Sequence, residues 1–115
     1  MEELKVKVLE ARSGRVVVKL GRMRKPDSLL VMKTDKGNLI AQGSRIILKV
    51  DPATRKGVYN TKGSYFPHLS PVLGAKEAVF PEEFVKLLEE AVIKPGEILG
   101  YLDGAPVIFG GAEEI

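Results

Sequence analysis

Cysteine is absent from this 115-residue chain. Its absence excludes a disulfide, a thiolate-held metal and a cysteine nucleophile. Histidine occurs once, as His68, so a site built from two or three imidazoles is excluded as well. Only three side-chain amides are present, Asn38, Gln42 and Asn60, while Lys and Glu are plentiful. That balance is thermophile-like. No apolar run approaches the roughly 18 to 20 residues needed to cross a bilayer. Met1–Ala11 alternates charged and apolar residues and lacks the apolar core of a signal peptide, so a cytoplasmic location and no membrane partner are expected.

Several chemistries lack their motifs. Ser13, Ser28, Ser44, Ser64 and Ser70 sit in neither a G-x-S-x-G elbow nor an S-x-x-K pair. Gly21, Gly37 and Gly43 are too scattered for a phosphate-cradling loop or a dinucleotide fingerprint. No cofactor and no metal is expected.

What is present is strand and turn, with one helix. Leu4, Val6 and Val8 alternate with Lys5 and Lys7, and Arg15–Leu20 (RVVVKL) follows a tight Ser13-Gly14 turn. Leu29–Thr34, Leu39–Gln42, Ser44–Val50 and Val58–Tyr59 read as further strands, with Gly43 marking a bulge or bend. Gly21–Asp27 and Asp51–Gly57 read as loops. Over residues 82–94, Phe84, Leu87, Leu88, Ala91 and Val92 form one apolar helical stripe. Pro81 suits a helix start and Pro95-Gly96 a stop. Glu97–Leu102 and Ala105–Phe109 flank Asp103-Gly104, a strong hairpin signal.

The expected fold is therefore α+β in a single domain spanning residues 1–115. It comprises about seven or eight short, mostly antiparallel strands in a curled sheet or partly open barrel, covered by the helix at about 82–94. Within it lie a basic β-rich half (about 1–62), an irregular segment (63–80) read as an ordered loop, the helix and hairpin (81–109), and a tail (110–115) expected to fray.

Charge is the uneven quantity. Met1–Lys62 holds 15 Lys and Arg against 6 Asp and Glu, a net of +9, whereas Gly63–Ile115 holds 3 against 9, a net of −6. The basic residues gather as Arg12 and Arg15 at one turn, Arg22, Arg24 and Lys25 in one loop, and Arg55, Lys56 and Lys62 in another. Such groups bind phosphates by releasing counterions. Tyr59 and Tyr65, near the third group, have the chemistry to stack on unpaired bases. These residues point to RNA or DNA held by its backbone. Two other readings stand beside it. One is a non-catalytic homo-oligomer or accessory subunit, assembled by basic-sheet/acidic-helix contacts. The other is a small enzyme using His68 with carboxylates such as Asp51 or Asp103.

Overall fold

The computed structural model describes residues 3–61 and 75–111. Seven strands form one antiparallel meander in chain order: β1 (Val6–Arg12), β2 (Arg15–Leu20), β3 (Asp27–Lys33), β4 (Leu39–Gln42), β5 (Ile47–Val50), β6 (Lys56–Asn60) and β7 (Lys76–Val79). The helix α1 (Glu82–Ala91) follows, and a separate two-stranded ribbon, β8 (Ile98–Leu102) and β9 (Ala105–Ile108), closes the described chain. The architecture is a small single-domain α+β fold built on a half-barrel sheet. Nine strands are present among the described residues where about seven or eight were expected, because Lys76–Val79 also pairs, as the partner of β6.

Alternation explains the core. Val16, Val18 and Leu20 of β2, Leu29 and Val31 of β3, Leu39 and Ala41 of β4, and Leu48 and Val50 of β5 point to one side and are buried. Phe84, Val85, Leu88 and Ala91 of α1 close over that side. Each fully buried Leu or Phe here contributes roughly 2–3 kcal/mol of apolar transfer. Phe80, immediately before the helix, is fully buried between Tyr59 and Phe84, with ring centroids 6.4 and 6.1 Å away. The sheet curls far enough for its ends to meet. Glu3 forms a parallel bridge with Val79, and the Leu4 amide donates to the Val79 carbonyl at 2.8 Å.

The helix stops at Ala91, three residues short of the expected end, because the sheet captures its last groups. The Ala91 carbonyl accepts the Gly14 amide at 2.6 Å, and the Ile93 amide donates to the Val31 carbonyl at 3.1 Å. Pro95 disfavours helical backbone at the residue before it, which removes any competing reason to continue.

Close strand contact makes one glycine indispensable. A Cβ at Gly57 of β6 would run into the Lys49 carbonyl oxygen and come within 2.8 Å of the Val50 Cα, both backbone atoms of β5. Gly57→Ala is therefore expected to prise the two strands apart at a cost of about 1–3 kcal/mol. Thermal denaturation reads this as a Tm lower by roughly 5–15 °C. An unchanged Tm would contradict the geometry.

Candidate functional site

The residues singled out by charge fall into separate places. Arg12 and Arg15 are register partners flanking the β1–β2 turn, and Arg12 pairs with Glu10 at 3.5 Å. Arg22, Arg24 and Lys25 are exposed in the β2–β3 loop, at the opposite end of β2 from Arg15. Arg55 and Lys56 lie where β5 turns into β6, at the same end of the meander as the β1–β2 turn. Lys62, Tyr65 and His68 lie outside the described residues, as does most of the expected ordered loop.

Arg55 is committed to the fold. Its backbone is left-handed (φ 62°), its carbonyl accepts the Phe80 amide at 2.7 Å, and its guanidinium reaches the Phe80 carbonyl at 3.4 Å and Glu3 at 3.5 Å. Tyr59 is half-buried with its ring edge-on to Phe80. Asp51 accepts the Ala53 amide at 2.9 Å in a turn, and Asp103 occupies a tight turn with φ 50°. Glu82 pairs with Lys86 at 3.5 Å on the exposed helix face. Among the described residues no three carboxylate or imidazole groups gather where they would hold a metal ion.

A different basic set comes together on the outer face of β1 and β2. Leu4, Val6 and Val8 pack toward the core, so Lys5 and Lys7 point away from it. Lys7 lies directly opposite Lys19 in the ladder. With Lys5, Val6, Gly21 and Met23, these two lysines line a shallow hollow of about 280 Å³. The adjoining loop brings Arg22 next in sequence to Gly21, whose amide donates to the Lys5 carbonyl at 2.8 Å. On the other side of β1's start lies Val79, the register partner of Lys56. The ladder and the Gly21–Lys5 hydrogen bond thus bring Lys19, Lys7, Lys5 and the start of the Arg22 loop together, while Lys56 lies beyond the Glu3–Val79 bridge. Among the described residues, none of these five, nor Arg24 or Lys25, has a carboxylate within ion-pair distance.

The Lys7–Lys19 pairing depends on a β-bulge. Counting back from the Arg12–Arg15 pair without interruption would set Lys7 against Leu20, on the core side. The register shifts between Val8 and Glu10, so that Val8 meets Val18, Lys7 meets Lys19 and Val6 meets Leu20. The extra residue, Leu9, is 48% exposed. Such a bulge re-aims every side chain beyond it. The alternation of Lys5 and Lys7 was visible in the sequence, but their partner was not.

The end of the sheet beside the β2–β3 loop is fixed by Asp27, the buried first residue of β3. Its carboxylate accepts the Arg45 amide at 2.8 Å, the Ile46 amide at 2.9 Å, the Ser44 hydroxyl at 3.1 Å and its neighbour Ser28's amide at 2.9 Å. Burial pushes this carboxyl up, but the hydrogen bonds from Arg45, Ile46 and Ser44 outweigh it and hold Asp27 below the ordinary aspartate value. The loop holding Arg22, Arg24 and Lys25 therefore springs from a braced strand end.

No family model, no curated protein and no solved structure matches this chain.

Proposed function

We propose that this protein binds nucleic acid through the phosphate backbone, using the outer face of β1 and β2 and the loop that follows. Lys5, Lys7 and Lys19 would contact phosphates, with Arg22, Arg24 and Lys25 extending the track and Lys56 at its far side. The observation that carries the reading is the Lys7–Lys19 pair. Like charges directly opposite each other in a ladder destabilise it. Neither lysine has a carboxylate within ion-pair distance among the described residues. A polyanion supplies the missing counter-charge.

The face is an open, shallow hollow, with Lys5 and Lys7 two residues apart along one strand and Lys19 across the ladder from Lys7. That form suits an extended row of phosphates and offers little to read base edges, so weak sequence preference is expected. The test is a fluorescence-anisotropy titration with labelled single-stranded RNA, single-stranded DNA and duplex DNA at two salt concentrations. Affinity should fall steeply with salt. Each phosphate contact contributes roughly 0.7 to the log–log slope for single strands and about 0.9 for duplex DNA. Absence of binding to all three at low salt would sink the proposal.

A further inference from the structure

The β8–β9 ribbon has a chemistry that the phosphate-binding reading leaves unused. Ile98, Leu99, Tyr101, Leu102, Val107 and Ile108 are each between 43% and 70% exposed. They are six of the seven large hydrophobic residues exposed among the described residues. The ladder pairs Ile98 with Ile108 and Tyr101 with Pro106, and sets Gly100 against Val107 and Leu102 against Ala105. Alternation along β9 puts the first two pairs on one face and the last two on the other. Both faces are therefore apolar, and an isolated two-stranded ribbon is marginal in water.

The ribbon is nonetheless held at a fixed root. The Gly96 amide donates to the Phe109 carbonyl at 2.7 Å, and the Phe109 amide to the Glu97 carbonyl at 3.0 Å. The Glu97 carboxylate accepts the Lys94 amide at 3.0 Å and the Ser13 hydroxyl at 2.9 Å, which ties the root to the β1–β2 turn. These two bonds also hold the Glu97 carboxyl below its ordinary range. Beside the root, an open hollow of about 540 Å³ is lined by apolar Leu39, Val92, Ile93, Pro95 and Phe109 and by charged Lys33, Asp35, Glu89, Glu90 and Lys94.

We infer that this ribbon is an arm for self-association, which enters the corresponding hollow of a second copy while that copy's arm returns the contact. Two observations select a second copy as the occupant. The chain carries both halves of the fit, an apolar arm and a largely apolar hollow, so a two-fold pair satisfies both at once. The arm also meets a second copy with little charge repulsion, since Asp103 at its turn is its one charged residue and the hollow sets Lys33 and Lys94 beside Asp35, Glu89 and Glu90. Ile98–Leu102 and Ala105–Ile108 contain no charged residue, whereas β1 and β2 present Lys5, Lys7 and Lys19 and the helix presents Glu82, Glu83, Glu89 and Glu90.

Sedimentation velocity on the full chain, without nucleic acid, tests this from low micromolar to about 100 µM concentration and at low and high salt. The expected result is a dimer that persists at high salt, since apolar burial is not screened. Leu102→Asp and Tyr101→Lys each place a charge in the contact and should weaken the dimer by about 100-fold or more. Both positions are exposed, so the melting transition of the monomer should survive. A monomer throughout the range overturns the inference. So does a dimer untouched by both substitutions, a pair that dissociates as salt rises, or an assembly growing beyond two copies. Because no nucleic acid is present, failure here leaves the phosphate-binding proposal standing, and the reverse holds too.

Discussion

Asp27→Ala is expected to lower unfolding stability by on the order of 3–5 kcal/mol, through loss of buried hydrogen-bond acceptors. The carboxylate gathers donors from Ser44, Arg45 and Ile46, which lie 17 to 19 residues further along the chain. Removing it leaves the Ile46 amide, in the buried interior, without its acceptor. Gly43 shows how tightly the carboxylate is enclosed, since a Cβ there would overlap it. Asp27→Asn should recover only part of the loss, because one oxygen remains and the amide nitrogen points donors at donors. The pH dependence follows from the lowered folded pKa. Between the folded value and the ordinary value of 3.8, the unfolded chain binds more protons than the folded one. The stabilisation is thus fully present above the unfolded pKa and is lost as pH falls through the folded one. Urea titrations at neutral and acidic pH measure both effects. An Asp27→Ala protein within about 1 kcal/mol of the parent at pH 7 would refute the bracing role.

Asp27 also shows where sequence reading stops. In sequence it ends a Gly-, Pro- and Asp-rich stretch, and loop is the local inference. Its partners become neighbours only when β3, β4 and β5 align, and no local signal encodes that. Local signals succeeded where the cause was local. Arg15–Leu20 and Leu39–Gln42 form strands with the expected bounds, and Asp103-Gly104 makes its hairpin with φ of 50° and 80°. β7 was missed because Lys76–Val79 buries one small side chain, Ala78, and earns its ladder from the neighbouring edge of β6. The ribbon was seen as a hairpin, but nothing in its alternation tells that both faces stand in solvent. Charge clustering in the sequence singled out the loop cations and passed over Lys5, Lys7 and Lys19, whose grouping needs the ladder. The Leu9 bulge decides which lysines face each other.

That bulge makes the proposed phosphate-binding face open to a two-sided test. Lys7→Glu converts a like-charge pair into an opposite-charge pair, so the fold should become more stable by about 0.2–1 kcal/mol. The same substitution should weaken nucleic-acid binding, because one contact becomes a repulsion. Lys7→Glu combined with Lys19→Glu restores a like-charge pair, now negative, with stability near the parent's. Its affinity should drop by about 100-fold at moderate salt, and the log–log salt slope should fall by roughly 1.4 to 1.8 for the two lost contacts. Reversal of Arg22 and Arg24 should weaken binding across all sequences in the same way. Lys36→Glu with Lys86→Glu, at the β3–β4 turn and on the exposed helix face, provides a charge-matched control that lies off the track. If this control and the Lys7/Lys19 pair lose affinity equally, binding tracks net charge alone and the face has no special part in it. If Lys7→Glu gains stability and loses affinity together, the repulsion between Lys7 and Lys19 is a cost the fold carries for its ligand.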